Sequence, residues 1–362
     1  PGHRYFKLRG DDGGVYLLRQ DTIEDRWELI LYDSGRREET RLSLRLSLAR
    51  ELMADFARRT GLVGDRPPTR YLWTDAFAVC NFLGLAQLTD DAAYRALALR
   101  LVDQVHQTLG RHRADDPREG WISGLDDAEA ERHPTKGGLR IGKPLGERRP
   151  DEPIDERLEW DRDGQYFHYL TRWMHALACA SQVTGEPGYV RWAAELAETA
   201  VARFSDRAAS GGPRRMAWKM SIDLSRPLVD AQGQHDPLDG LVTCLQLRHL
   251  AAVMGESIAG DLSPRIDALA AMCTGQPLAT ADPLGIGGLL AAAHTLARLA
   301  AAGQLDCGDL LLSVLAQARP GLAYQLKNSD DLCMPADDRL AFRELGLSIG
   351  LRAVKRMQTL LE

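Results

Sequence analysis

The sequence lacks several signatures that identify a protein class directly. It contains no P-loop ending in Gly-Lys-Ser or Gly-Lys-Thr, no G-x-G-x-x-G stretch after a predicted strand, and no cysteine–histidine spacing of the zinc-module type. P-loop nucleotide hydrolases, dinucleotide-binding enzymes and zinc modules are therefore disfavoured. On the same grounds we expect no cofactor and no bound metal ion.

An excess of positive charge is also missing. The chain has 45 lysines and arginines against 51 aspartates and glutamates, which gives a net charge of −6. Nucleic-acid-binding domains carry a basic excess or stripe, so we expect no nucleic-acid partner. The longest weakly charged run, residues 282–303, contains His294 and Arg298, which favours a buried helix over a membrane span, and we expect no membrane partner.

Paired cysteines and an apolar leader are absent as well. The six cysteines form no C-x-x-C pair, and most of them lie within apolar helical patterns. Buried free thiols of this kind are typical of a reducing compartment, so we expect a cytoplasmic protein. The opening stretch "PGHRYFKLRG" has no signal-peptide core, although a chain that begins with Pro1 leaves export open.

The first forty residues differ in pattern from the rest of the chain. "YFKLRG" and "VYLLRQ" flank an Asp/Gly turn, and "RWELILYDSG" follows with a third alternating stretch. This pattern predicts a small strand-rich segment over residues 1–40.

From residue 41 onward, two kinds of helical pattern alternate. Residues 75–88 and 166–183 are apolar nearly all round, whereas 92–112 and 189–204 carry their charges along one face. A repeat of two helices per unit, with one helix that needs neighbours on every side, favours a closed ring over an open solenoid. We predict an all-α fold over residues 41–362: an α/α toroid of helical hairpins with five to six inner helices.

The same pattern predicts where the two ends of the ring meet and where its functional face lies. We expect the last helix, near residues 339–361, to pack beside the first helical stretch at 43–59. Long loops at 113–165, 205–236 and 319–339 all lead into inner helices at their N-terminal ends. These loops should gather on one face, together with the positive ends of the helix dipoles.

Aromatic and acidic residues cluster where these loops enter the inner helices. Aromatic rings stack on the C–H faces of sugars, and carboxylates bind hydroxyl groups and transfer protons, so the pattern indicates a carbohydrate site. The residues concerned are Trp73, Asp75, Trp160, Asp161, Asp163, Gln165, Tyr166, His168, His235, Asp236 and Asp239.

With these clusters at the loop-to-helix junctions, residues 41–362 resemble the (α/α)6-toroid six-hairpin enzymes. This group includes the unsaturated glucuronyl hydrolases and several glucanase families, and the N-acylglucosamine 2-epimerases have a similar toroid. "WDRDGQYF" is loosely similar to the Trp-x-Arg-Gly-x-Gly-Trp stretch of the glucuronyl hydrolases, with Tyr166 in place of the second glycine.

The resemblance implies a glycoside hydrolase that acts on a mono- or oligosaccharide. Paired aspartates at inner-helix starts do the chemistry in that group, which makes Asp75 and Asp161 the acid/base pair. Asp236 and Asp239 would be alternatives to that pair or would bind hydroxyl groups. The remaining predicted substrate contacts are stacking by Trp73, Trp160 and Tyr166, and hydrogen bonds from Asp163, Gln165, His168 and His235.

Two other functions remain open from the sequence. A sugar epimerase or isomerase would use His168 or His235 as its base, and a non-catalytic toroid would bind a glycan or a protein. Asp-Pro at a helix start also has a purely structural explanation, because Asp caps the helix and Pro suits its first turn. We expect capping alone for Asp282, whereas Asp236 has the additional polar neighbours His235 and Asp239.

Two basic loop segments could recognise an anionic sugar. Residues 137–149 and 214–229 are expected to form short hairpins over the mouth of the site. Their charged residues, which would either bind the sugar or remain solvated, are Lys143, Arg148, Lys219 and Arg226.

Overall fold

The computed structural model describes residues 3–10, 15–33, 38–206, 215–256, 261–303, 307–327 and 334–361. Its N-terminal part is an antiparallel sheet of β1 (His3–Arg9), β2 (Val15–Asp21) and β3 (Arg26–Asp33), with β2 in the centre. Phe6 lies opposite Leu18 across the first pair of strands. The three strands predicted for the first forty residues are therefore confirmed.

The rest of the described chain is mainly helical. The helices are α1 (Glu38–Arg59), α2 (Leu72–Thr89), α3 (Ala92–Leu109), α4 (Asp127–Arg132), α5 (Glu156–Asp161), α6 (Phe167–Thr184), α7 (Pro187–Phe204), α8 (Asp236–Val253), α9 (Ser263–Cys273), α10 (Pro283–Ala301), α11 (Gly308–Lys327) and α12 (Ala341–Leu361). Four short strands lie in the loops: β4 (Gln165–Tyr166), β5 (Ser205–Asp206), β6 (Arg215–Met216) and β7 (Lys219–Met220). β4 pairs with β7 and β5 with β6, so β4–β7 ties the loop before α6 to the loop before α8.

The helices form a toroid of helical hairpins, as predicted. α2/α3, α6/α7, α8/α9 and α10/α11 are the hairpins, and the inner helices follow one another in the order α2, α6, α8, α10 and α12. The expected packing of the last helix on the first is wrong. In the described ranges α12 packs most closely on α10, while α1 packs on α2, and both terminal helices keep large apolar side chains such as Leu52 and Leu345 exposed.

Burial follows the two helical patterns seen in the sequence. α2 buries Leu72, Val79 and Phe82, whereas the outer helix α3 buries Leu101 and Val105 on one face and exposes its charged residues on the other. An outer helix needs only one apolar stripe, but an inner helix contacts neighbours on both sides and the outer layer behind it.

α10 is the one helix in the described ranges that is long and apolar enough to cross a membrane by length and composition. In the structure it packs against α8, α11 and α12 and buries Ile286, Leu289 and Leu296. Its start is capped by Asp282, whose carboxylate accepts a hydrogen bond of 3.0 Å from the Gly285 amide. The expectation of capping alone is wrong, because the other oxygen of Asp282 binds Arg343.

The cysteines among the described residues are free thiols. Cys244 and Cys307 are buried, whereas Cys80, Cys179 and Cys273 are only partly buried. The expectation of free thiols is met at these five positions, but complete burial is found at two of them. Cys333 lies outside the described residues.

Candidate functional site

The N-terminal ends of the five inner helices surround one cavity of about 420 Å³. α2 contributes Trp73 and Phe77, α6 contributes His168 and Arg172, and α8 contributes Asp236 and Asp239. The remaining lining residues come from α10 and α12 and from the loops before α8 and α10. The cavity therefore lies on the face where the long loops were predicted to gather.

His168 and Asp236 face each other at this cavity. The imidazole Nδ1 of His168 lies 3.7 Å from Oδ1 of Asp236, close enough for electrostatic attraction but too far for a hydrogen bond. Nδ1 of His168 and Oδ2 of Asp236 are both buried atoms without a hydrogen-bond partner among the described residues. Buried polar atoms are nearly always satisfied in folded proteins, so an unpartnered pair at a cavity marks a place where a polar ligand gains hydrogen bonds.

The aromatic neighbours of His168 hold its ring in place. The imidazole is nearly parallel to the Tyr166 ring, at a centroid distance of 5.3 Å and an angle of 26°, and to the Trp218 ring, at 6.2 Å and 13°. Trp73 meets the same imidazole edge-on at 6.0 Å. Flat rings on several sides restrict the imidazole orientation and leave an apolar surface beside it.

The position of Asp236 depends on a glycine in the preceding turn. A Cβ atom at Gly233 would lie only 2.0 Å from Oδ2 of Asp236, so any larger residue there would displace the carboxylate. The Asp236 amide also donates a hydrogen bond of 3.3 Å to the Gly233 carbonyl. Because "GQHDP" folds this way, the carboxylate turns toward the neighbouring helix α6.

The other carboxylates that line the cavity are paired with arginines. Arg172 donates a hydrogen bond of 2.8 Å to Oδ2 of Asp239, and Arg343 binds Oδ1 of Asp282. Asp282 also caps α10, so both of its oxygens are engaged. Asp236 is thus the cavity carboxylate that combines an unpartnered buried oxygen with a nearby imidazole.

His235 also lines the cavity, but one of its ring nitrogens already has a hydrogen-bond partner. Its Nε2 lies 2.8 Å from the Leu278 carbonyl, which fixes the proton on that nitrogen for the neutral ring. His235 therefore presents its other nitrogen and its ring face, and it is less available as a base than His168.

Asp75 and Asp161, the predicted acid/base pair, do not line this cavity. Asp75 is 1% exposed; its Oδ2 accepts a hydrogen bond of 2.9 Å from the Tyr71 amide and its Oδ1 lies 3.6 Å from Nη1 of Arg70. Burial raises the pKa of Asp75 to about 6, although the positive charge of Arg70 acts in the opposite direction. Asp161 is exposed at the last residue of α5.

Asp163 and Gln165 are fully buried and serve the loop architecture. Asp163 accepts hydrogen bonds of 2.5 Å from Arg140 and 3.0 Å from the Gly142 amide. The Gln165 side chain bonds the Leu139 amide at 2.8 Å and the carbonyls of residues 137 and 222. These contacts hold the loop before α6 against its neighbours, and neither side chain is among those that line the cavity.

Lys219 also turns inward. Its side chain is 1% exposed, and the ammonium group donates hydrogen bonds to the backbone carbonyl and Oε1 of Glu159, at 2.7 and 3.0 Å, and to the Arg162 carbonyl at 2.9 Å. Burial lowers the pKa of Lys219, while Glu159 partly restores it. Arg148 binds the same Glu159, so these basic side chains stabilise the loops instead of facing the cavity.

Trp160 and Tyr166 lie at an adjacent cavity of about 410 Å³. Trp160 is 58% exposed and contacts Trp218 edge-on at 5.4 Å. Trp218 lines both cavities and contacts the rings of Trp160 and His168, while Tyr166 contacts the His168 ring directly.

Three side chains of the site were missed by the sequence analysis. Arg172 follows His168 by four residues, which places both on one helix face, and this spacing could have identified it. Trp218 comes from the loop before α8 and Arg343 from the start of α12, and no local sequence pattern marks either of them as a site residue. Residues 346–350 spell G-x-S-x-G, but they lie inside α12 and not at the strand-to-helix turn that such a nucleophile requires.

A separate group of side chains on α2 and α6 is suited to hold a metal ion. The donor atoms of Cys80, His175 and Cys179 all lie within 4.8 Å of one another, and no other group of three such residues is found in the described ranges. A hydrogen bond from Cys80, together with the positive charges of His175 and Arg298, lowers the pKa of the Cys179 thiol.

Comparisons with known proteins give few matches. No family model matches the chain, and no curated protein matches it. It is similar to a crystal structure of D-mannose isomerase, with 13% identity and a TM-score of 0.41 over 71% of this chain and 58% of that one. It is also similar to the unsaturated glucuronyl hydrolase from Bacillus sp. GL1, which is described as responsible for the degradation of glycosaminoglycan, with 14% identity and a TM-score of 0.39 over 66% and 56%. The chain spans less than two thirds of either structure, and similarity at this level concerns the fold alone.

Proposed function

We propose that the chain is a carbohydrate-active enzyme that moves a proton on a neutral reducing sugar, as an aldose–ketose isomerase or a sugar epimerase. One observation carries the proposal. The His168 imidazole, which contacts the rings of Trp73, Tyr166 and Trp218, faces the unpartnered Asp236 carboxylate in a cavity of about 420 Å³. This volume lies in the range of small-molecule sites, which is roughly 300–1,000 Å³.

His168 supplies the base that such a reaction needs. The imidazole takes the proton from the carbon next to the sugar carbonyl, and the electron pair of that C–H bond forms an enediolate. Return of the proton to the former carbonyl carbon, with transfer of the hydroxyl proton from one enediolate oxygen to the other, gives the isomer, whereas protonation of the first carbon from the opposite face gives the epimer. The enediolate oxygen accepts N–H hydrogen bonds from the guanidinium groups of Arg172 and Arg343 at the cavity wall, whose charges are already balanced by Asp239 and Asp282.

Asp236 acts on the reaction through His168. When the imidazole gains a proton it becomes positively charged, and a carboxylate 3.7 Å from Nδ1 stabilises that charge. Asp236 also favours the imidazole tautomer that carries its proton on Nδ1, which leaves Nε2 free to accept the substrate proton.

The arrangement of carboxylates is the reason to prefer proton transfer over hydrolysis. Glycoside hydrolysis uses two carboxyl groups on opposite sides of one bond. Asp75 and Asp161 do not line the cavity, and Asp239 and Asp282 are paired with arginines. Because those arginines are already neutralised, the cavity favours a neutral sugar over a uronic acid.

The test uses the purified chain in D₂O with a panel of aldoses, ketoses and N-acetylhexosamines, followed by NMR. We expect a new sugar isomer with deuterium at the carbon that exchanges its proton. Nitrophenyl glycosides and an unsaturated uronyl disaccharide are assayed in parallel. Hydrolysis of either without any carbon-bound deuterium would contradict the proposal, as would inertness toward every sugar.

Two variants connect the reaction to the site. His168→Gln should lower the exchange rate by about 10²–10⁴-fold, the usual contribution of a positioned base. His294→Gln is the matched control, because His294 lies on α10 outside the cavity lining. Equal loss of activity in both variants would show that His168 has no special role.

A further inference from the structure

Cys80, His175 and Cys179 lie along the inner surface of the ring, on the helices that also form the cavity. Cys80 follows Trp73 by seven residues on α2, and His175 and Cys179 follow His168 by seven and eleven residues on α6. Residues at these spacings share one face of a helix. The face that presents Trp73 and His168 to the cavity therefore presents Cys80 and His175 about two turns deeper and Cys179 about three turns deeper.

We propose that these three side chains bind a zinc ion. From the sequence we expected no bound metal ion, and a zinc ion at this place takes no part in the proton transfer at His168. It rests on the distances between the donor atoms, on the chemistry of the donors and on their partial accessibility.

The distances match the coordination shell of zinc. Tetrahedral geometry with Zn–S of about 2.3 Å and Zn–N of about 2.0 Å separates sulfur and nitrogen by about 3.6 Å and two sulfurs by about 3.8 Å. Sγ of Cys179 lies 3.6 Å from Nε2 of His175, and all three donor atoms lie within 4.8 Å of one another. The third donor, Sγ of Cys80, lies within 4.8 Å of both other donor atoms, about 1 Å beyond the separation of a closed shell at most.

The donor set selects a thiophilic divalent cation. Two thiolates and one imidazole are ligands that zinc accepts, whereas magnesium and calcium prefer oxygen. The two thiolate charges equal the charge of the ion, so binding adds no net positive charge near Arg172 and Arg298. Both arginines contribute to the electrostatics of these thiols in the unbound chain.

Access and coordination number are also suitable. Cys80 and Cys179 are partly and not fully buried, so an ion can reach them from the interior of the ring. Three protein ligands leave one tetrahedral position for water or another small ligand. His175 and Cys179 are spaced by four residues on one helix, which fixes two of the ligands before the ion arrives.

The test is spectroscopic and does not depend on enzyme activity. Full-length protein is stripped with a chelator under reducing conditions and titrated with Co²⁺, which reports tetrahedral thiolate binding by its visible d–d bands and near-ultraviolet charge-transfer absorption. We expect saturation at one equivalent and displacement of Co²⁺ by Zn²⁺. Absence of these bands in folded, reduced protein would overturn the proposal.

Variants identify the ligands. Cys179→Ser and His175→Gln should each weaken Co²⁺ affinity by more than the 10- to 100-fold typical of a residue that only supports a ligand. Cys273→Ser, which changes a partly buried cysteine on the outer helix α9, is the matched control and should leave the spectrum unchanged. An unchanged spectrum in Cys179→Ser would also overturn the proposal.

A disulfide between Cys80 and Cys179 is the competing outcome. It would appear as a loss of two thiols and two mass units in protein purified without reductant. If that bond forms and the reduced protein binds no Co²⁺, the pair is a redox pair and the zinc proposal fails. Should either variant fail to fold by circular dichroism, the wild-type titration alone decides the question.

Discussion

His106 gives a quantitative test of the interior of the toroid. It is 3% exposed on α3, and Nε1 of Trp173 donates a hydrogen bond of 3.1 Å to its Nε2. Burial lowers the pKa of His106 to about 3, from an ordinary value of 6.5. Protonation of the folded protein would place a charge in the core and would remove the acceptor that Trp173 uses.

The sign of the pH effect follows from this lowered pKa. Between pH 6.5 and about 3 the unfolded chain binds a proton at this histidine and the folded chain does not. The contribution of His106 to the free energy of unfolding is therefore fully present above pH 6.5 and is lost as the pH falls toward 3. Within this window, each pH unit changes the free energy of unfolding by about 1.4 kcal/mol. At pH 5.0, about 1.5 units below the unfolded pKa, the free energy of unfolding should therefore fall by about 2 kcal/mol through His106 alone.

The assay is urea unfolding of the wild type and His106→Gln at pH 7.5 and pH 5.0. Glutamine still offers an acceptor to Trp173 but does not titrate, and the difference between the two proteins cancels the contribution of every other group. We expect wild type to be the more stable protein at pH 7.5, and its advantage to shrink by about 2 kcal/mol at pH 5.0. Parallel pH profiles for the two proteins would refute the reasoning.

Three further substitutions test the assignments made to other residues. Asp75→Asn leaves the buried Arg70 unpaired and should lower the free energy of unfolding by about 3–5 kcal/mol in urea at pH 7.5, whereas unchanged stability would contradict its structural role. Lys219→Met removes the ammonium group that contacts Glu159 and should lower the free energy of unfolding by about 3 kcal/mol. The preference between neutral sugars and uronic acids should stay the same, and a changed preference would show that Lys219 contacts the substrate. Trp218→Ala should raise the KM for the sugar roughly 10-fold and leave the Tm nearly unchanged. An unchanged KM would show that the Trp218 ring does not contact the sugar.

The local sequence was sufficient to predict the helical toroid and the face of the ring that carries the cavity. Periodic burial distinguishes α3, with one apolar stripe, from α2, which is apolar nearly all round, and the alternation of the two kinds requires an inner and an outer layer. Loop lengths then placed the long connections at the N-terminal ends of the inner helices, where the cavity is found.

The identity of the site residues was a different matter, as Asp75 and Asp236 show. Both stand in the first turn of an inner helix, yet Asp75 faces Arg70 in the core while Asp236 faces His168. A helix that is apolar nearly all round carries no sequence signal for its rotation about its own axis. That rotation decides whether an acidic residue in the first turn meets the core or the cavity.

The sequence by itself therefore determined the layers, the hairpins and the face of the ring, because these follow from periodicity and loop length along the chain. Only the tertiary structure decided which side chains meet. It brings His168 to Asp236 across 68 residues, and Cys80 to Cys179 across 99 residues. Such contacts depend on how helices dock and rotate against one another, and no local pattern of residues encodes that.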